Sequence, residues 1–146
     1  MDYYTNAEEQ LEGAKILADS GKYRLAVTLL CLSCELFLKS LVERKDPSNP
    51  LLNSHDIVNL GALIKNDVDF KTLAPQLAFM RKYLNDSRYP YDAKAYTDVF
   101  YQNCLERSLQ VKSEIDVAFA KIPMLKSLQD RFGKDYVKEL KNHKTE

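Results

Sequence analysis

The sequence has few chain breakers, with four glycines and five prolines in 146 residues. No stretch alternates strictly between apolar and polar residues, so the signature of a half-buried strand is missing and helical periodicity is the strong signal. The expected class is all-α. Cysteine is scarce and odd in number, at three, and the chain opens without an apolar, signal-like segment. That argues against a disulfide framework and leads us to expect free thiols in a reducing cytoplasm. Histidine is confined to His55 and His143. Neither sign of charge is in excess, with 21 Lys+Arg against 21 Asp+Glu. A partner held chiefly through phosphate charge therefore needs a local basic patch that the total conceals. A chain of this length suits one domain, burying roughly two-thirds of its unfolded surface.

What is present is organised around Tyr23–Lys45, YRLAVTLLCLSCELFLKSLVERK, which contains no Gly, Pro or Asn. At about 100° per residue its apolar side chains point almost all round the axis, so the helix must be buried. Arg24, Thr28, Glu35 and Lys39 fall within an arc of roughly 60°, giving this core helix one narrow polar stripe. These charges also interrupt the longest apolar run and argue against a membrane span.

Asn6 and Glu9 have the spacing of a capping box and place the start of a first helix, whose apolar face is Leu11, Ala14 and Ala18. Gly21 supplies the left-handed residue that closes it, so the first two helices are expected as an antiparallel hairpin. The ADSGKYRLA turn resembles the inner turn of a tetratricopeptide unit, but no second copy follows at the required spacing. Pro47 and Pro50 end the second helix. Ser54 is the expected cap of a short helix with Asp56 in its first turn, and Thr72 the cap of another with Pro75 in its first turn. NDSRYPYDAKAY, residues 85–96, has loop chemistry. A long helix from about Thr97 is expected to stop at Pro123, and the tail keeps a stripe of Leu125, Leu128, Phe132, Tyr136 and Leu140.

The hairpin with AVTLLCLSCELFLKSLV, the SHDIVNL helix start and the RYPYD loop before a long helix together resemble the HEPN domain family over residues 5–122. The resemblance implies an up-and-down bundle of four main helices plus short helices, with residues 1–122 as the bundle and 123–146 as a helical extension. It also implies a homodimer, and a groove where the polar stripe meets the later helices. Family members resembling metal-independent ribonucleases carry an Arg shortly before a His in the last core helix. Here VFYQNCLERSLQVKSEI has Arg107 but no His, and acid–base cleavage loses its usual proton carrier. The implied function is a non-catalytic nucleotide or RNA binding module, or the companion of a nucleotidyltransferase in a toxin–antitoxin or defence system. A divergent ribonuclease using Arg88 and His55 is the enzymatic alternative, and a protein-interaction scaffold the third.

The candidate ligand-binding residues are Glu35, Lys39, His55, Asp56, Arg88 and Tyr89. Glu35 and Lys39 have the better i,i+4 orientation for a helical ion pair, which is either a structural tie or a phosphate-facing Lys39 beside a Glu35 that orients Arg88. His55 and Asp56 open a helix, where an Asp commonly only caps and a His adds a titratable donor. Arg88 would grip a phosphate while Tyr89 or Tyr91 stacks on a base, with Arg81, Lys82 and Lys94 making the patch basic. The bland reading is a rigid surface turn. Cys31, Cys34, Cys104 and His55 formally make a zinc set, but a Cys pair within an apolar helix is ordinarily core packing, so no metal or cofactor is expected.

Overall fold

A computed structural model describes residues 2–86 and 96–132, with side chains for 2–83 and 96–122. Its helices are α1 (Tyr3–Asp19), α2 (Tyr23–Lys45), α3 (Ile57–Leu63), α4 (Phe70–Asp86) and α5 (Asp98–Phe132), with a 3-10 turn at Pro50–Asn53 before α3. The bounds of α2 coincide with the stretch free of Gly, Pro and Asn, and Asp46 closes it by donating its N–H to the Val42 carbonyl at 2.8 Å.

Side-chain contacts fix the helix directions. Tyr4 meets Phe37 and Ser33 bonds to the Ala7 carbonyl, so α1 and α2 are antiparallel. Tyr23 meets Tyr101, Cys34 meets Ser108 and Arg44 lies over Phe119, so α2 and α5 run the same way. Asp69 meets Glu114, Phe79 meets Arg107 and Tyr83 meets Phe100, so α4 opposes α5. The four long helices therefore go up, down, up and down, as expected. α2 touches each of the others. Its Ala26, Val27, Leu30, Cys31, Cys34, Phe37, Leu38 and Leu41 are at most 1 % exposed. By length and composition α2 passes as a membrane span, but 72 % of its most apolar window is buried inside the bundle. Most of its greasy surface is used up on neighbouring helices, Leu25 remaining exposed.

Several boundaries differ from the sequence expectation, each for a local reason. The α1 cap is Asp2, whose carboxylate accepts the Thr5 N–H at 2.7 Å, and Asn6 lies inside the helix, accepting from Gln10. The added turn lays Tyr4 edge-on to Phe37 and Phe119. Asp56 itself caps α3, with Ser54 Oγ accepting the Asp56 N–H at 3.0 Å. α4 begins before Thr72: the Asp69 carbonyl accepts from the Thr72 and Leu73 N–H groups, and the Thr72 hydroxyl donates to the Asp69 carboxylate. Pro75 thus falls in the second turn of α4. α5 continues through Pro123 to Phe132. A proline inside a helix deletes one backbone bond, and the bonds on either side carry the helix past it. Arg88, Tyr89, Tyr91, Lys94 and the tail from residue 133 lie outside the described residues.

Gly21 closes the hairpin at φ +75°, the left-handed position anticipated for it. Gly61 lets α3 approach α4, because a Cβ there would run into the Leu77 side chain.

All three cysteines are buried free thiols. Burial pushes the Cys34 thiol from 9.0 up to about 11, partly offset by its contact with Ser108. Burial likewise pushes Cys104 up to about 12. Both folded values are raised, so the stabilisation is complete below pH 9, where the thiols are protonated in both states. It is lost as the pH rises through 11 and 12. At pH 8 iodoacetamide should modify Cys34 about a hundredfold, and Cys104 about a thousandfold, more slowly in the native chain than in the denatured chain. Mass spectrometry after timed quenching checks this, and equal rates would contradict the burial.

Candidate functional site

The polar stripe of α2 ends in a buried carboxylate. Glu35 is 3 % exposed and Lys39 5 %. Lys39 Nζ sits 3.2 Å from Glu35 Oε2, one turn along the same helix. His55 reaches the same carboxylate from the segment before α3, its Nδ1 standing 3.1 Å from Oε1 and 3.2 Å from Oε2. A carboxylate offers only lone pairs, so Nδ1 carries the proton and Nε2 is the nitrogen left to face outwards. The His55 side chain is 67 % exposed whereas that of Glu35 is 4 % exposed. An open imidazole is thereby anchored on a closed anion.

Asp56 continues the cluster. One of its oxygens caps α3, accepting the N–H groups of Val58 and Asn59 at 3.0 and 3.2 Å. Its Oδ2 accepts from Arg81 at 3.1 Å and from the Asn59 amide at 3.2 Å. Arg81 comes from α4 with its side chain 55 % exposed. The structure thus joins Glu35, Lys39 and His55 in one ion cluster and sets Asp56 with Arg81 beside it, since His55 and Asp56 are neighbours in the chain.

The geometry sorts the candidates by access. Arg81 presents guanidinium N–H groups to solvent and His55 presents Nε2, an acceptor when Nδ1 carries the proton, while Glu35, paired with Lys39, lies beneath and holds His55. Arg81 has a specific role that its part in a general basic patch does not convey. Its pairing with Asp56 spans 25 positions, and no local spacing announces it. Arg88 and Tyr89 fall outside the described residues, and among the described residues His55 and Lys39 are the side chains found on Glu35.

None of these residues lines the cleft of about 410 Å³ on another side of α2. That cleft is walled by Tyr3, Tyr4, Arg44, Pro47 and Phe119, among others. One of these walls is tied to α5: the Tyr4 hydroxyl donates to Asp116 Oδ1, and Lys112 Nζ stands 2.9 Å from Oδ2. Burial, reinforced by the Asp116 carboxylate, holds the Tyr4 hydroxyl above the usual phenol range and keeps it a donor. The zinc alternative loses its geometry. Cys31 bonds to the Met80 carbonyl and Cys34 to Ser108, while His55 is turned to Glu35. Among the described residues no group of three or more His, Cys, Asp or Glu side chains could hold a metal ion.

Comparison with curated proteins and with solved structures returns no match. Comparison with family models returns the HEPN domain over residues 1–116, a span that takes in the α1–α2 hairpin, the Glu35–Lys39–His55 cluster and the larger part of α5. The helical order seen here and the extent of that match agree, and the chain belongs to the HEPN domain family.

Proposed function

We propose that the chain is a non-catalytic nucleotide or RNA binding module. Its ligand meets His55 and Arg81 at the surface, above the Glu35–Lys39 pair. The supporting observation is the arrangement itself: a buried carboxylate fixes an exposed imidazole whose Nε2 points away from the anchor, beside a guanidinium with N–H groups to spare. In a protein with no excess of positive charge, a guanidinium donor beside a prepositioned imidazole acceptor favours a small number of directed contacts, Arg81 to a phosphate and Nε2 to a ribose hydroxyl, over general attraction to a polyanion. Arg88 and Tyr89 belong to the same proposed groove. The module is proposed to act in the cytoplasm as a homodimer beside a nucleotidyltransferase, in a toxin–antitoxin or defence setting.

A nucleotide panel followed by thermal shift tests the reading. A ligand that binds only the native state at about a hundred times its Kd adds about 2.7 kcal/mol. The expected result is a raised melting temperature with at least one nucleotide, lost in His55→Ala and in Arg81→Ala. Both side chains are mostly exposed, so both variants should stay folded. No shift with any nucleotide, or a shift indifferent to both substitutions, would refute it.

The His55–Glu35 contact also favours the enzymatic alternative, because a carboxylate behind an imidazole is the usual way to orient a proton carrier. RNA cleavage by purified protein that disappears in His55→Ala would replace binding by catalysis.

A further inference from the structure

The cleft of about 410 Å³ has no part in the site around His55, and it lies where the first residues of α1, the last turn of α2 and Phe119 of α5 come together. Its volume falls within the roughly 300–1,000 Å³ of small-ligand sites. Ser40, Glu43 and Arg44 all line it, as do Tyr3, Pro47 and Phe119. Glu43 and Arg44 are consecutive, and consecutive side chains of a helix do not face each other. Two opposite charges therefore border one opening without cancelling. Among the described residues neither Glu43 nor Arg44 takes part in an ion pair.

What each polar group can still give or accept is fixed by what it already does. The Ser40 hydroxyl, 8 % exposed, spends its proton on the Phe37 carbonyl at 2.6 Å, so its oxygen meets a ligand as an acceptor. The Glu43 carboxylate likewise only accepts. Arg44 only donates, and its guanidinium lies 5.1 Å from the centre of the Phe119 ring, a contact that orients it and leaves its charge whole. The Phe119 ring is in turn steadied by Tyr4, with ring centres 6.0 Å apart. Asp2, on the same cleft, has one carboxylate oxygen on the Thr5 N–H.

We propose that this cleft binds a free α-amino acid with a large apolar side chain. Its ammonium is taken by Glu43 and Ser40 Oγ, its carboxylate by Arg44, and its side chain by the wall of Tyr3, Phe119 and Pro47. Only a zwitterion answers both charges. A plain organic cation leaves Arg44 unmatched, and a plain carboxylate leaves Glu43 unmatched. A nucleotide is disfavoured more strongly, because its phosphates would meet the carboxylates of Glu43 and Asp2 with one guanidinium to offset them. The ligand class and the residues are thus both separate from those of the His55–Arg81 site.

The test is an NMR titration of the full chain with phenylalanine, phenylpropionate, phenethylamine and glycine, which remove in turn the ammonium, the carboxylate and the apolar side chain. Phenylalanine should bind with a Kd of about 1 mM or tighter, and each of the other three at least about tenfold more weakly. Arg44→Gln and Glu43→Gln change exposed residues, and each is checked for an unchanged unfolding midpoint. Both should weaken phenylalanine at least about tenfold. Arg44→Gln should leave phenethylamine as it was, and Glu43→Gln should leave phenylpropionate as it was. His55→Ala should leave phenylalanine binding intact. No binding of phenylalanine at up to about 10 mM would overturn the proposal. So would any of the three analogues binding as tightly as phenylalanine, a Kd indifferent to both cleft variants, or a loss of phenylalanine binding in His55→Ala. Phenylalanine binding that persists while no nucleotide raises the melting temperature keeps the cleft and removes the other site.

Discussion

Glu35→Ala should lower the unfolding free energy by about 3–5 kcal/mol. The loss comes less from the missing attraction than from what is left behind. With Glu35 gone, the Lys39 ammonium, whose side chain is 6 % exposed, has no anion at its tip, and desolvating an unpaired charge costs several kcal/mol. His55 also loses its anchor but is open enough to be rehydrated. The double variant Glu35→Leu/Lys39→Met separates the two contributions. It removes both charges and fills similar volume with apolar groups, so its stability should be equal to or above that of the parent, by up to about 4 kcal/mol. Urea denaturation of the three proteins measures this. A Glu35→Ala cost below about 1 kcal/mol would mean that the pair behaves as a solvated surface bridge. A stable double variant that no longer shows a nucleotide-induced thermal shift would show that the ions serve binding and not folding.

That comparison also marks how far the sequence could be read. α2 is legible because an all-round apolar helix has one physical destination, and its ends are set by Lys22 in the Gly21 turn and by Asp46 before Pro47. The polar stripe is legible for the same reason, since Glu35 and Lys39 stand out against that background. Their surroundings are not. His55 is 20 positions from Glu35, and Arg81 is 25 from Asp56. Such pairs exist only after α3 and α4 have been folded against α2, so no local rule contains them. The caps failed for a different reason. Around residue 2 and around residue 69 several short polar side chains compete to satisfy the same free N–H groups. Packing decides between them: starting α1 at Asp2 gains the contacts of Tyr4 with Phe37 and Phe119. Pro123 was misleading because the rule that proline ends a helix describes one lost bond, and a long helix can absorb that loss.

Phe37→Ala should be as costly as Glu35→Ala, and no companion substitution should repair it. Phe37 is fully buried and among the largest side chains in the core. It meets Tyr4 edge-on with ring centres 5.3 Å apart, and Tyr4 in turn meets Phe119 at 6.0 Å and hydrogen-bonds to Asp116. One ring thus joins α2 to α1 and, through Tyr4, to α5. Its removal loses the transfer free energy of the side chain and leaves a cavity, together about 3–5 kcal/mol. Phe37→Leu, which keeps most of the volume, should cost less than about 1.5 kcal/mol. A double-mutant cycle with Tyr4→Ala isolates the ring contact and should return a coupling of about 0.5–1.5 kcal/mol. Strict additivity would show that α1 is held by its other contacts, such as the Ser33 hydroxyl donating to the Ala7 carbonyl at 2.8 Å. The contrast with Glu35 is one of substitutability. If Glu35→Leu/Lys39→Met keeps the stability of the parent, the fold does not require the buried ion pair, whereas a buried ring at a three-helix junction is explained by the fold alone.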